Sequence, residues 1–193
     1  MIADKALQQQ LQQGILKDKS VQLAMDREMK KHFDLAKRAM LQEFDSHTVT
    51  QGLKSHTGAG LVSRGSLFGF LGFAEGENPT GALRDLLEKV IIFKFTSESK
   101  RSGERIYTVT IPSKDDIYGA TPLPWAQGRS WVKAIEHGIS GMGNYMNINS
   151  PNSRSGEGIQ TKTNKGGRFR NTSYISTILN NFKKRLLSSG ITF

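Results

Sequence analysis

Apolar residues recur every three or four positions along the first quarter of the chain. Met25, Met29, Phe33, Ala36, Met40 and Phe44 follow one another at spacings of four, four, three, four and four. That spacing puts them on one stripe of a helix of about seven turns, with Lys, Arg, Asp and Glu on its other faces. Asp18 or Ser20 is placed to cap its start. A short polar helix over 6–15, ending near Gly14, is predicted before it, so 1–51 reads as a helical N-terminal region. The stripe suits burial on the chain's own core or packing against another subunit.

The period is lost over 47–66 among Gly, Ser and Thr, and an extended loop or arm is predicted there. "SLFGFLGF" (66–73) then forms an apolar patch, too short to span a membrane and expected to bury against the helix stripe. Asn78 and Pro79 make an N-cap and first-turn pair for a helix over 79–89, with Ala82, Leu83, Leu86 and Leu87 inward. "VIIFKFT" and "RIYTVTI" are β-branched and aromatic runs joined by a polar linker, a signature of neighbouring antiparallel strands closed by Pro112. "SKDDI" suits a single helical turn.

The stretch "TPLPWAQGRSWVKAIEHGISGMGNYM" holds both tryptophans and mixes them with prolines and glycines. Ser130 can cap a two-turn helix on which Trp131, Ala134 and Ile135 share a face, with Gly138 as its stop. Glu136 sits in the last turn of that helix, at the negative end of its dipole. Its presence there calls for a cationic or backbone N–H partner. Residues 141–168 lack periodicity and read as a long flexible loop. A closing helix over 172–187 follows, with Tyr174, Ile178, Phe182 and Leu186 spaced by four. It is expected to pack on the hairpin and on the N-terminal helix.

The pattern therefore predicts an α+β fold: a small, mostly antiparallel sheet flanked by a long N-terminal helix and a C-terminal helix, with long loops or arms. At 193 residues the chain suits a single domain. No window approaches a membrane span, and the protein is expected to be soluble or part of a soluble assembly. The net charge of +10 is unevenly placed. Over 1–51 eight Lys/Arg meet seven Asp/Glu, whereas over 152–193 eight meet one. The cations Arg154, Lys162, Lys165, Arg168, Arg170, Lys183, Lys184 and Arg185 make a surface suited to nucleic-acid phosphates or to an acidic neighbouring subunit.

Catalytic patterns are weak. With no cysteine, thiolate clusters and cysteine nucleophiles are excluded. The glycines match neither a dinucleotide fingerprint nor a P-loop, and no serine lies in a nucleophile elbow. His47 and His56 with Asp45 could meet at a metal across a folded loop, but exposed loop histidines are commoner. Glu98 and Lys100 with Asp85 superficially match a nuclease metal motif, yet a hairpin tip would not fix such a metal. No catalytic residue, metal or cofactor is assigned.

The order of parts over about 66–187 resembles the neck and tail-completion proteins of tailed bacteriophages. In that family a short helix ends in an (I/V)-E-x-G signature, here Ile135, Glu136, His137 and Gly138. A Gly/Ser-rich loop and a Phe-led amphipathic helix follow, here from Phe169. "SLFGFLGF", "TPLPWAQGRSW" and "SGEGIQTK" are also similar to segments of phage virion proteins. The N-terminal region and the 141–168 loop are longer than the commoner pattern.

The resemblance implies a structural, non-enzymatic protein of the virion neck or tail, present in host cytoplasm during assembly. Its copies would form a ring around the DNA channel, alongside other neck, portal-adaptor, tail tube or sheath proteins, with non-specific DNA contact and no membrane. Trp125 and Trp131 would anchor a loop, in an interface or in the core, and Gly138 would let it leave. Glu136, Lys183 and Arg185 would serve assembly, and the basic loop would face DNA or an acidic neighbour. The rival reading is a basic nucleic-acid-binding protein, with or without nuclease activity.

Overall fold

The computed structural model describes residues 2–62, 65–99, 103–137, 145–147, 159–161 and 172–188. Two helices open the chain, α1 (Ile2–Lys17) and α2 (Lys19–Ser46), with Asp18 between them. The Asp18 carboxylate accepts from the backbone N–H groups of Ser20 and Val21 and so caps α2. Gly14 does not end α1, contrary to the sequence reading. An exposed glycine costs a helix only about 1 kcal/mol, and Leu16 beyond it lies against Gly103 in the tip of the later hairpin.

Only the second half of α2 enters the core. Phe33, Ala36, Met40 and Phe44 are buried, whereas Met29 is only partly so. The segment after α2 is the main departure from expectation. Instead of an extended loop over 47–66, α3 (Thr48–Lys54) turns straight back with Val49, Thr50, Gly52 and Leu53 buried. Val49 and Leu53 are one turn apart and face the core, and His47 serves as the cap. Gly52 carries the close approach of Ala59, whose side chain a Cβ at 52 would strike.

The patch 66–73 is buried, but it packs chiefly on α3 and Trp131 rather than on the α2 stripe as expected. Ser66 caps α4 (Leu67–Phe70) and all four of its residues are buried. Asn78 caps α5 (Pro79–Val90), which buries Leu83 and Leu87 and leaves Ala82 exposed. Ala82 is thus not an inner position. α5 lies along the second half of α2. Arg84 pairs with Asp45 at 3.2 Å, and Lys37 of α2 donates to the Glu88 and Ile91 carbonyls at 2.6 and 2.7 Å. A cation on those terminal carbonyls answers the negative end of the α5 dipole.

Strands β1 (Ile92–Glu98) and β2 (Arg105–Thr110) pair antiparallel, with a bulge between Phe95 and Ser97. After α6 (Lys114–Gly119), a capped helix longer than the single turn expected, β3 (Pro122–Leu123) and β4 (Ala126–Ser130) form a second ribbon. They lead into α7 (Trp131–His137). A third ribbon, β5 (Tyr145–Asn147) with β6 (Ile159–Thr161), lies within the stretch read as an aperiodic loop. The closing helix α8 (Ile175–Ser188) buries Ile175, Ile178, Phe182 and Leu186, and Tyr174 just before it is also fully buried.

The class is α+β, as the sequence pattern predicts, but the strands form separate two-stranded ribbons rather than one sheet. α8 packs chiefly on α2. The hairpin reaches it through Phe33, whose ring stacks on Phe93 at 5.4 Å and meets Phe182 edge-on at 6.2 Å.

Candidate assembly site

Glu136 joins the last two helices. Its Oε1 accepts from the backbone N–H groups of Tyr174 and Ser176 at 3.1 and 2.8 Å. The Thr172 N–H donates to the Ile135 carbonyl beside it. Helix α8 therefore receives its cap from α7. The carboxylate satisfies N–H groups that a helix start leaves unpaired, and it places negative charge where the dipole favours it.

Trp131 and Trp125 have different surroundings. Trp131 is buried and meets the rings of Phe73 and Tyr174 at 6.4 and 6.1 Å. Ser130 before it caps α7 by accepting from Lys133 N–H and shares a hydrogen bond with the buried Thr121 hydroxyl. Trp125 is 43% exposed. Its indole N–H donates to the Leu71 carbonyl at 2.9 Å, and its ring covers Gly72, where a Cβ would stand 2.7 Å from Cδ1. With φ at +79°, Gly72 also holds a conformation that side chains resist.

At the centre, the Tyr174 hydroxyl bonds to Thr50 at 2.6 Å and burial pushes it well above its usual range. The His47 ring lies 4.7 Å away, centroid to centroid. His47 Nδ1 accepts from Val49 N–H at 3.2 Å. Burial lowers the His47 pKa, against the opposing effects of a hydrogen bond to the Ser173 backbone and the charges of Glu43 and Glu136. His47 is thus a structural cap that works in its neutral form.

The residues considered for metals go to separate partners. His56 stacks on Phe68 at 4.2 Å. Asp45 binds Lys54 and Arg84; burial raises its pKa, but the hydrogen bonds and charges of the two cations together bring it below the ordinary value. Asp85 pairs with Lys89, and Glu98 with Arg105. Among the described residues no group of three His, Asp or Glu is placed to hold a metal ion. None of the described helices is long and apolar enough to cross a membrane.

Of the basic positions, Arg185 pairs with Glu43 at 2.6 Å, and Asn181 shares that carboxylate. Arg185 is therefore engaged within its own chain. Lys183 and Lys184 are exposed. Gly138, Arg154, Lys162, Lys165 and Arg168 lie outside the described residues.

Two features escaped the sequence reading. Leu7, Leu11 and Ile15 are 57, 59 and 57% exposed, on one face of α1 at spacings of four. That spacing was visible, but not the exposure of the face it forms. The second feature is a clasp between hairpin and helix. Arg105 binds both oxygens of Asp26 at 3.0 and 2.9 Å, Tyr107 donates to Asp26 at 2.6 Å, and the guanidinium lies 4.2 Å over Phe95.

Comparison with protein-family models, with curated proteins and with solved structures returned no match.

Proposed function

We propose that this chain is a structural protein of a phage neck or tail, whose copies assemble into a ring at the head–tail junction around the DNA channel. The phage class rests on the resemblance of the Ile135 to Gly138 signature, the loop after it and the closing helix. Physical support for assembly comes from α1. A helix of 16 residues with Leu7, Leu11 and Ile15 turned to solvent is marginal by itself, and contacts with other protein would stabilise it. Exposed Ile106, Phe95 and Trp125 add to the apolar surface available for packing.

In this reading the role is mechanical. Glu136, His47 and Trp131 shape the subunit, and no residue performs a reaction. Mass measurement and electron microscopy of the purified chain test it. Closed rings of fixed copy number are expected. A chain that stays monomeric at all concentrations and binds DNA tightly at low salt would instead make it a solitary nucleic-acid-binding protein.

A further inference from the structure

An open groove of about 470 Å³ lies at the start of α5, with Phe73, Pro79, Ala82, Pro122 and Trp131 among its walls and the exposed Glu77 beside them. Its size is within the roughly 300–1,000 Å³ of ligand-holding clefts. Its surface is mostly apolar.

The exposed stripe of α1 is the second unmatched apolar surface, and the two lie at opposite ends of α2. α1 leads into the α2 N-terminus. The groove lies beyond the other end, where Arg84 of α5 meets Asp45. α2 has 28 residues and is about 42 Å long at 1.5 Å per residue, and no residue of α1 lines the groove. Within one chain they do not meet.

We infer that the Leu7, Leu11 and Ile15 stripe of one copy seats in the Pro79, Pro122 and Trp131 groove of the next. This rests on the proposal that copies assemble. Charge supports the pairing: the stripe ends beside exposed Lys17 and Lys19, which outnumber Asp18 between them, and exposed Glu77 lines the groove. Joining two different surfaces is a head-to-tail contact, which closes into a ring or continues as a filament. Pairing of α1 with α1 would leave the groove empty and yield a two-fold dimer.

The absence of cysteine allows a direct test. Leu11→Cys and Ala82→Cys each alter an exposed position, and circular dichroism checks that both fold. Mixed under mild oxidation, the two variants are expected to form a disulfide-linked pair, whereas Leu11→Cys alone forms little. Leu7→Glu with Leu11→Glu should weaken self-association by about ten- to hundredfold per leucine removed. Rings without the mixed crosslink, or with predominant linkage between two Leu11→Cys chains, would overturn the seat but leave the ring proposal standing. Folded chains that never associate would overturn both.

Discussion

Glu136 and His47 each act through one or two atoms. The Glu136 carboxylate carries a formal charge onto two N–H groups at the start of α8, those of Tyr174 and Ser176, and a neutral amide keeps the shape without the charge. Glu136→Gln keeps an accepting oxygen and loses the charge, and should lower stability by about 0.3–1 kcal/mol, the size of a charge effect at a helix terminus. Glu136→Ala, which loses the cap, should cost about 1–2 kcal/mol. Urea denaturation measures both, and an unchanged midpoint in Glu136→Gln would show that a neutral oxygen caps α8 as well as the carboxylate does.

His47 predicts a pH dependence. Its cap needs an unprotonated Nδ1, and burial lowers its pKa from the ordinary value of 6.5. Between the folded and unfolded pKa values the unfolded chain binds more protons, so stability falls as pH drops below about 6.5. Denaturation midpoints between pH 7.5 and 5, on the order of the range where histidine titrates, should show this loss. In His47→Asn, which keeps a capping acceptor but does not titrate there, the histidine contribution to the slope should vanish. The charges of Glu43 and Glu136 raise the His47 pKa against burial and so limit the size of the fall.

At the scale of elements, the hairpin and the closing helix are held by different physics. α8 is attached by a fully buried stripe on α2 and resists water. Among the described residues no further strand pairs with the β1–β2 hairpin, and such a ribbon alone is marginal. It depends on Phe93 and on the Asp26, Arg105 and Tyr107 clasp, in which the Arg105 side chain is only 10% exposed. Asp26→Asn removes charge-assisted bonds worth roughly 1.5–3 kcal/mol each. Hydrogen exchange of β1 and β2 amides should quicken by about ten- to hundredfold, while α8 amides keep their protection. Equal quickening in both would mean that hairpin and core open together.

For the whole molecule, the basic closing helix divides into two roles. Arg185 pairs with Glu43 inside the chain, whereas Lys183 and Lys184 face outward. Lys183→Gln with Lys184→Gln should leave monomer stability within about 0.5 kcal/mol. Any defect should appear in the salt dependence of assembly or of DNA contact. Arg185→Gln should instead destabilise the monomer itself, because the half-buried Glu43 loses a partner. Thermal unfolding of both variants separates the two. Similar losses in both would return Arg185 to the interface group.

Much of this architecture follows from interactions between neighbours in sequence. The spacing of four along Tyr174 to Leu186, the Asn78 and Pro79 start of α5, and the Asp18 cap each involve residues within a turn or two, so they were legible directly. The need of Glu136 for a partner was legible for the same reason, since a helix dipole is local. Which partner it took was not, because Tyr174 lies 38 positions away. Nor was α3, whose Val49 and Leu53 are interrupted by Gly52, a residue explained only by the approach of Ala59. The same limit hid the exposure of α1, which repeats apolar residues every four positions much as α8 does. Periodicity tells which residues share a face; only the arrangement of the other elements decides whether anything in the chain covers it.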